Sequence, residues 1–178
     1  VDEAFIELSR PEESVAQLAP SREYLFVMRS LTKSFGVPGM RLGFGVTNPL
    51  LAGIMNRAKI PWSIGSIAAA AAEYLLGCED HLTRSRELIA EELNYLIPSL
   101  KNLGLDPLPS QVNFILVNIE SAGLGSDVLA ERTMARGVLV RDCQSFGLEK
   151  SYIRVAVRGH EDNERLIDVL ERALRCKD

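Results

Sequence analysis

Short apolar segments return between helical stretches all along this chain, and that alternation limits its fold more than any single residue does. Tyr24–Met28, Arg41–Val46, Asn113–Val117, Val138–Arg141 and Tyr152–Val157 read as strands, and Phe5-Ile6 reads as the end of another. Pro11–Leu18, Pro49–Arg57, Ser66–Leu76, Ser126–Arg136 and Glu161–Arg175 read as helices. Their ends carry recognisable signals: Pro49 at a first helical position, Gly137 as a stop, and acidic residues in the first turn of the last helix. Between Asp80 and Leu103, apolar residues such as Leu82, Ile89, Leu93, Leu96, Leu100 and Leu103 recur at helical spacing, which predicts one long helix. Pro98 inside it predicts a kink or a division. Strands separated by helices define an α/β chain. The long helix is expected to join two lobes, residues 1–75 and 76–178.

Composition narrows the partners. A net charge of -4 provides no basic footprint for nucleic acid or for an anionic membrane surface. Hydrophobic residues at 47% and charged residues at 25% match an ordinary soluble domain. The longest apolar run, Ile64–Ala72, is too short to cross a bilayer. No charged segment followed by an apolar stretch opens the chain, so no signal peptide is expected. Cys78, Cys143 and Cys176 are odd in number and widely spaced, forming neither a disulfide framework nor a metal motif, and they set the expectation of a reducing cytoplasm. His81 and His160 stand at helix starts and read as surface residues, not metal ligands. Val1 begins in strand-like sequence without an initiating Met, which reads as part of something longer.

The densest chemistry lies just past the strand Tyr24–Met28, in the loop Ser30-Leu31-Thr32-Lys33 and its continuation through Arg41 and Gly43. A lysine at the end of a buried strand is expected where desolvation disfavours its ammonium form, which suits an amine for Schiff-base chemistry. Two hydroxyls and an arginine nearby can hold a phosphate, the arginine by a planar two-pronged grip. An amine for an aldehyde and donors for a phosphate together describe a pyridoxal 5'-phosphate site. Two other readings stand beside it. Lys33 can be a plain surface lysine, and Ser-x-x-Lys also occurs as a serine nucleophile with its lysine base. The latter needs a helix after the serine, against which Pro38-Gly39 argues.

The fourteen residues Ser30–Gly43 resemble the lysine loop of fold-type I, pyridoxal-phosphate-dependent aminotransferases, within them the histidinol-phosphate aminotransferase branch. The resemblance runs from Asp2 to the last helix. At Arg57–Ala69, Tyr152–Arg158 and Asp162–Leu166 the chain is most similar to the threonine-phosphate decarboxylases built on that fold. The resemblance implies the C-terminal half of such an enzyme: part of the large cofactor domain in residues 1–75, then a small α/β domain in residues 76–178. It also implies a homodimer of the complete protein and a small phosphorylated amino-acid substrate. The activity implied is pyridoxal-phosphate-dependent decarboxylation of L-threonine O-3-phosphate, with histidinol-phosphate-like transamination as the alternative. This half alone is expected to be inactive, or a module that binds the cofactor weakly.

Position by position, Lys33 matches the catalytic lysine that carries the cofactor, and Asp2, which by itself reads as a strand-end or turn residue, matches the aspartate that pairs with its pyridine nitrogen. Ser30 and Arg41 match the phosphate-binding pair, with Thr32 a weaker candidate. Arg154, mid-strand opposite the face of Ile153, Val155 and Val157, matches the arginine that clamps a substrate carboxylate. Without the resemblance it reads as a solvated or salt-bridged arginine. Asn113 matches an active-site asparagine, or is a turn residue. Arg141 and Arg158 are candidates for the substrate phosphate. Trp62 and Ser63 line the pocket near the dimer seam, or Trp62 is a core residue. Phe5 departs from the resemblance, because many relatives place there a tyrosine whose hydroxyl bonds the cofactor.

Overall fold

The structure is a computed structural model that describes residues 1–175, so Cys176 lies outside the described residues. The chain divides into two compact units, Val1–Arg86 and Glu87 onward.

In the first unit, strand β1 (Phe26–Ser30) runs straight into the four-residue helical turn α1 (Leu31–Ser34). Strand β2 (Gly43–Thr47) returns antiparallel to β1, with Ser30 opposite Gly43 and Phe26 opposite Thr47. Gly43 permits this close return, since a Cβ there would meet the Arg29 carbonyl oxygen at 2.8 Å. Helices α2 (Pro49–Ala58) and α3 (Ser66–Leu75) follow. Asn48 caps α2 by accepting a 2.9 Å hydrogen bond from the Leu51 N–H, which explains the sharp start at Pro49.

Two expectations for the first twenty residues do not hold. Phe5-Ile6 is no strand: Asp2 alone forms an isolated parallel bridge with Met28, and Ile6–Leu8 is a 3-10 turn. Pro11–Leu18 is not one helix but two 3-10 stretches, Pro11–Glu13 and Ala16–Ser21. The break between them has a cause. The Ser14 hydroxyl and the Val15 N–H both donate to the Glu3 carboxylate, at 2.7 and 2.8 Å, so that backbone is committed elsewhere.

Helix α4 (Glu79–Asn102) runs through Pro98 without dividing. Proline removes the donor owed to the Asn94 carbonyl, but Asn94 is exposed and water can take that role. In the second unit, strands β3 (Asp106–Pro107), β4 (Phe114–Asn118), β5 (Arg141–Asp142) and β6 (Tyr152–Ala156) form one antiparallel sheet in the order β3-β4-β6-β5. Helices α5 (Ser126–Met134) and α6 (His160–Arg175) complete the unit. The strand expected at Val138–Arg141 shrinks to Arg141–Asp142. Gly137 is left-handed at φ 79, and the Val138 N–H is spent on the Thr133 carbonyl at the end of α5.

One face of this sheet is apolar and closed. Ile115, Val117, Ile153 and Val155 are buried together with Leu96 and Leu100 of α4, Leu129 of α5 and Leu166, Leu170 and Ala173 of α6. Burial of such a side chain contributes about 1.5–3 kcal/mol, so this set fixes the register and leaves the alternate residues of β4 and β6 on the opposite face.

Candidate active site

The end of β1 gathers three donors. The hydroxyls of Ser30 and Thr32 lie 2.7 Å apart, and the Lys33 Nζ donates to Ser30 Oγ at 3.4 Å. The α1 turn brings them together, because it folds the backbone back directly after Ser30. The absence of a helix after Ser30, expected from Pro38-Gly39, is therefore corrected: a single helical turn intervenes before Gly36. Lys33 is also exposed, so the desolvated setting expected at the strand end is not found in this unit. Its ammonium instead lies over the Phe5 ring, 5.4 Å from the centroid. Phe5 offers no hydroxyl; it offers a π face to a cation.

Asp2 is held by its bridge to Met28, two residues before the strand ends at Ser30. One carboxylate oxygen accepts from the Ala4 N–H at 2.9 Å, and the other has no partner among the described residues. Next to it in sequence, the buried Glu3 enters a part-buried ionic network that the sequence did not reveal. Glu3 accepts from Arg29 Nε at 3.1 Å, and Arg29 also donates to Glu7 at 2.6 Å and to Ser14 Oγ at 2.5 Å. Burial pushes the Glu3 carboxyl up, but hydrogen bonds from Ser14, the Val15 N–H and Arg29 outweigh it and hold the group below its ordinary range. The signal was present as Glu3 and Arg29, each one residue from a candidate group.

Arg41 takes a left-handed backbone, φ 51 and ψ 45, which a side chain with Cβ seldom adopts. Its guanidinium makes one long contact, 3.5 Å to the Pro38 carbonyl, and is otherwise unpaired among the described residues. Trp62 is left-handed too and 97% exposed, so the core reading of it does not hold.

Cofactor fit rests on this donor set. Two hydroxyls and an ammonium within hydrogen-bond reach suit a phosphate or an aldehyde-bearing phosphate ester, and a carboxylate with a free oxygen suits a protonated ring nitrogen. The residues present fit pyridoxal phosphate.

In the second unit, Arg154 projects from the open sheet face. It faces Arg141 directly across the β5–β6 pair and lies over two rings, 5.1 Å from the Phe114 centroid and 5.4 Å from that of Phe146. Arg141 lies 5.0 Å from the same Phe146 ring and donates to Ser145 Oγ at 2.6 Å. Neither arginine pairs with a carboxylate among the described residues. Cys143, fully buried between them in sequence, has its thiol pushed up by burial against the pull of Arg154. Arg158 belongs elsewhere: it pairs with Asp162 at 2.7 Å and lines a separate cavity of about 320 Å³ with Arg165 and Leu139. The structure thus joins Arg141 to Arg154 and leaves Arg158 apart.

Asn113 stands one residue ahead of β4. Its carbonyl accepts from the Val157 N–H at 2.9 Å, and its side-chain oxygen is buried with no partner among the described residues. Phe114 and Phe146 were missed from sequence. Strand alternation could have placed Phe114 diagonally from Arg154, and Gly147, left-handed at φ 79, marks the turn that returns Phe146. His81 is exposed and stacks on Phe35, and His160 is exposed as well, with its Nδ1 3.1 Å from the buried Glu92. Among the described residues no group of three metal-binding side chains gathers, and no helix is long and apolar enough to cross a membrane.

Known proteins share this architecture. The histidinol-phosphate aminotransferase of Clostridium acetobutylicum superposes with a TM-score of 0.89 at 28% identity, over 97% of this chain and 53% of its own. The fold is therefore that of a fold-type I aminotransferase-like half. The family model for aminotransferase class I and II matches residues 1–170, and the chain belongs to that family, whose members depend on pyridoxal phosphate. Histidinol-phosphate aminotransferase 1 of Nitrosococcus oceani is 37% identical over 98% of this chain and 46% of its own length. A provisionally named threonine-phosphate decarboxylase of Caldanaerobacter subterraneus is 34% identical over 96% of this chain and 47% of its own length. The chain spans about half the length of the curated relatives it matches.

Proposed function

We propose that this chain is the C-terminal half of a pyridoxal-phosphate enzyme that decarboxylates a small phosphorylated amino acid, L-threonine O-3-phosphate, to (R)-1-amino-2-propanol O-2-phosphate. The observation that carries the reading is the pair Arg141 and Arg154, two guanidiniums with no carboxylate partner among the described residues. A substrate with both a carboxylate and a phosphate supplies two anions for them. The 34% identical relative named for threonine phosphate supports the same substrate.

Pyridoxal phosphate, when bound, supplies an electron sink for the pair left at Cα when a bond there breaks. This chain's residues do the rest. Ser30, Thr32 and Arg41 would hold the phosphate, and the Asp2 carboxylate would accept a charge-assisted hydrogen bond from the ring N–H, which keeps that nitrogen protonated. Lys33 would carry the cofactor through Nζ, and the same amine, once free, would hold a proton for Cα. Arg154 grips the carboxylate and sets which bond at Cα stands ready to break, Arg141 takes the substrate phosphate, and Asn113 lends its free oxygen to the substrate amine. Residues 1–75 belong to the cofactor domain and residues 76–178 to the small domain of a homodimer in the cytoplasm. The exposed Ile60, Trp62, Ile67 and Tyr74 are surface that such an assembly would cover.

A second reading, transamination of histidinol phosphate, is favoured by the 37% identical relative of that name. One assay separates them. The complete enzyme is given threonine phosphate, or histidinol phosphate with a keto acid, and carbon dioxide and carbonyl product are measured. Carbon dioxide from threonine phosphate supports decarboxylation; a carbonyl product without carbon dioxide overturns it.

A further inference from the structure

Arg141 and Arg154 stand directly opposite each other on adjacent strands, a placement in which like charges repel. Nothing acidic among the described residues neutralises them. Both guanidiniums lie instead against one ring, Phe146, at 5.0 and 5.4 Å from its centroid. Arg154 has a second ring in Phe114, whereas Phe146 is the one ring that Arg141 has among the described residues.

A ring face differs from a carboxylate in what it consumes. A carboxylate would occupy the N–H donors of the guanidinium, whereas a π face attracts the cation and leaves its in-plane donors free. We infer that Phe146 is a positioning residue, which, together with the Ser145 hydroxyl that takes one Arg141 donor at 2.6 Å, holds Arg141 beside Arg154 with their remaining donors open to an anionic substrate. This rests on the reading of the arginine pair as the substrate's anion site, and deepens it. Phe146 sits on the short turn Gln144–Phe146 and is 54% exposed, so its ring is not a core element whose loss would unfold the sheet.

The test uses the chain itself, with NMR of the arginine Nε–Hε groups and O-phospho-L-threonine as the probe. In Phe146→Leu, the Arg141 signal should lose order while Arg154, still over Phe114, changes less. Affinity for phosphothreonine should fall about threefold, the scale of one exposed cation–π contact. Phe146→Trp should retain both properties, and the Ile153 and Val155 amides report that the sheet is intact. If Arg141 stays as ordered in Phe146→Leu as in the parent, the inference is overturned. If order is lost but the parent chain binds no phosphothreonine, positioning by Phe146 stands and the substrate reading of the arginine pair falls.

Discussion

Arg41 keeps a left-handed backbone that glycine would adopt without strain. A residue held so is commonly one whose side chain is wanted at that place. Replacing it by glycine removes a strain of about 1 kcal/mol and adds unfolded-state freedom of similar size. Arg41→Gly should therefore leave stability within about 1 kcal/mol of the parent by urea unfolding. Its affinity for pyridoxal phosphate, followed by absorbance, should fall about tenfold, the scale of one charge-assisted hydrogen bond. Equal affinity in the two proteins would remove Arg41 from the phosphate site. Glu3 makes a second prediction. Its carboxyl is held below the ordinary carboxylate range when folded. The stabilisation is thus complete above the unfolded carboxylate value and is lost as pH falls through the lower folded one. Stability of the parent should drop more steeply on acidification below about pH 4.3 than that of Glu3→Gln, measured by thermal melts across that window.

Among elements, α6 is tied to the end of β6 by one side chain. The buried Asn163 accepts from the Arg158 N–H at 3.1 Å and donates to the Arg158 carbonyl and to Glu92 Oε2, both at 2.8 Å. Its amide pairs with the backbone as a neighbouring strand would, and also gives the buried Glu92 carboxylate a donor. Asn163→Ala should cost about 2–4 kcal/mol in urea unfolding, because it strands two backbone groups and leaves the buried Glu92 with only the exposed His160 beside it. A loss below about 0.5 kcal/mol would mean that water replaces the amide. This tie was invisible in the sequence, where Asn163 is one polar residue among many in a helix. The helices were legible because periodicity, Asn48-Pro49 and Gly137 act locally. The strands were found to start two residues early at β1 and β2 and one residue early at β4, since apolar content does not say which groups a partner strand will pair. The 3-10 stretches near Ser14 were illegible because Glu3, eleven residues away, decides them.

At the scale of the whole chain, the sequence offers candidate site residues as a list and not as an arrangement. Ser30, Thr32 and Lys33 could be named because they are adjacent; the Phe5 ring under Lys33 and the Phe146 ring between two arginines depend on folding. The chain's two units carry different shares of the proposed chemistry. The groups proposed to hold the cofactor fall in Val1–Arg86, and the arginines proposed to hold the substrate fall after Glu87. That division makes the cofactor step testable by itself. The direct measurement is to incubate the chain with pyridoxal phosphate, reduce with borohydride, and map the adduct by mass spectrometry. Lys33 should carry it several-fold ahead of Lys59, Lys101 and Lys150, and an adduct spread evenly over these lysines, or absent from Lys33, would contradict the account.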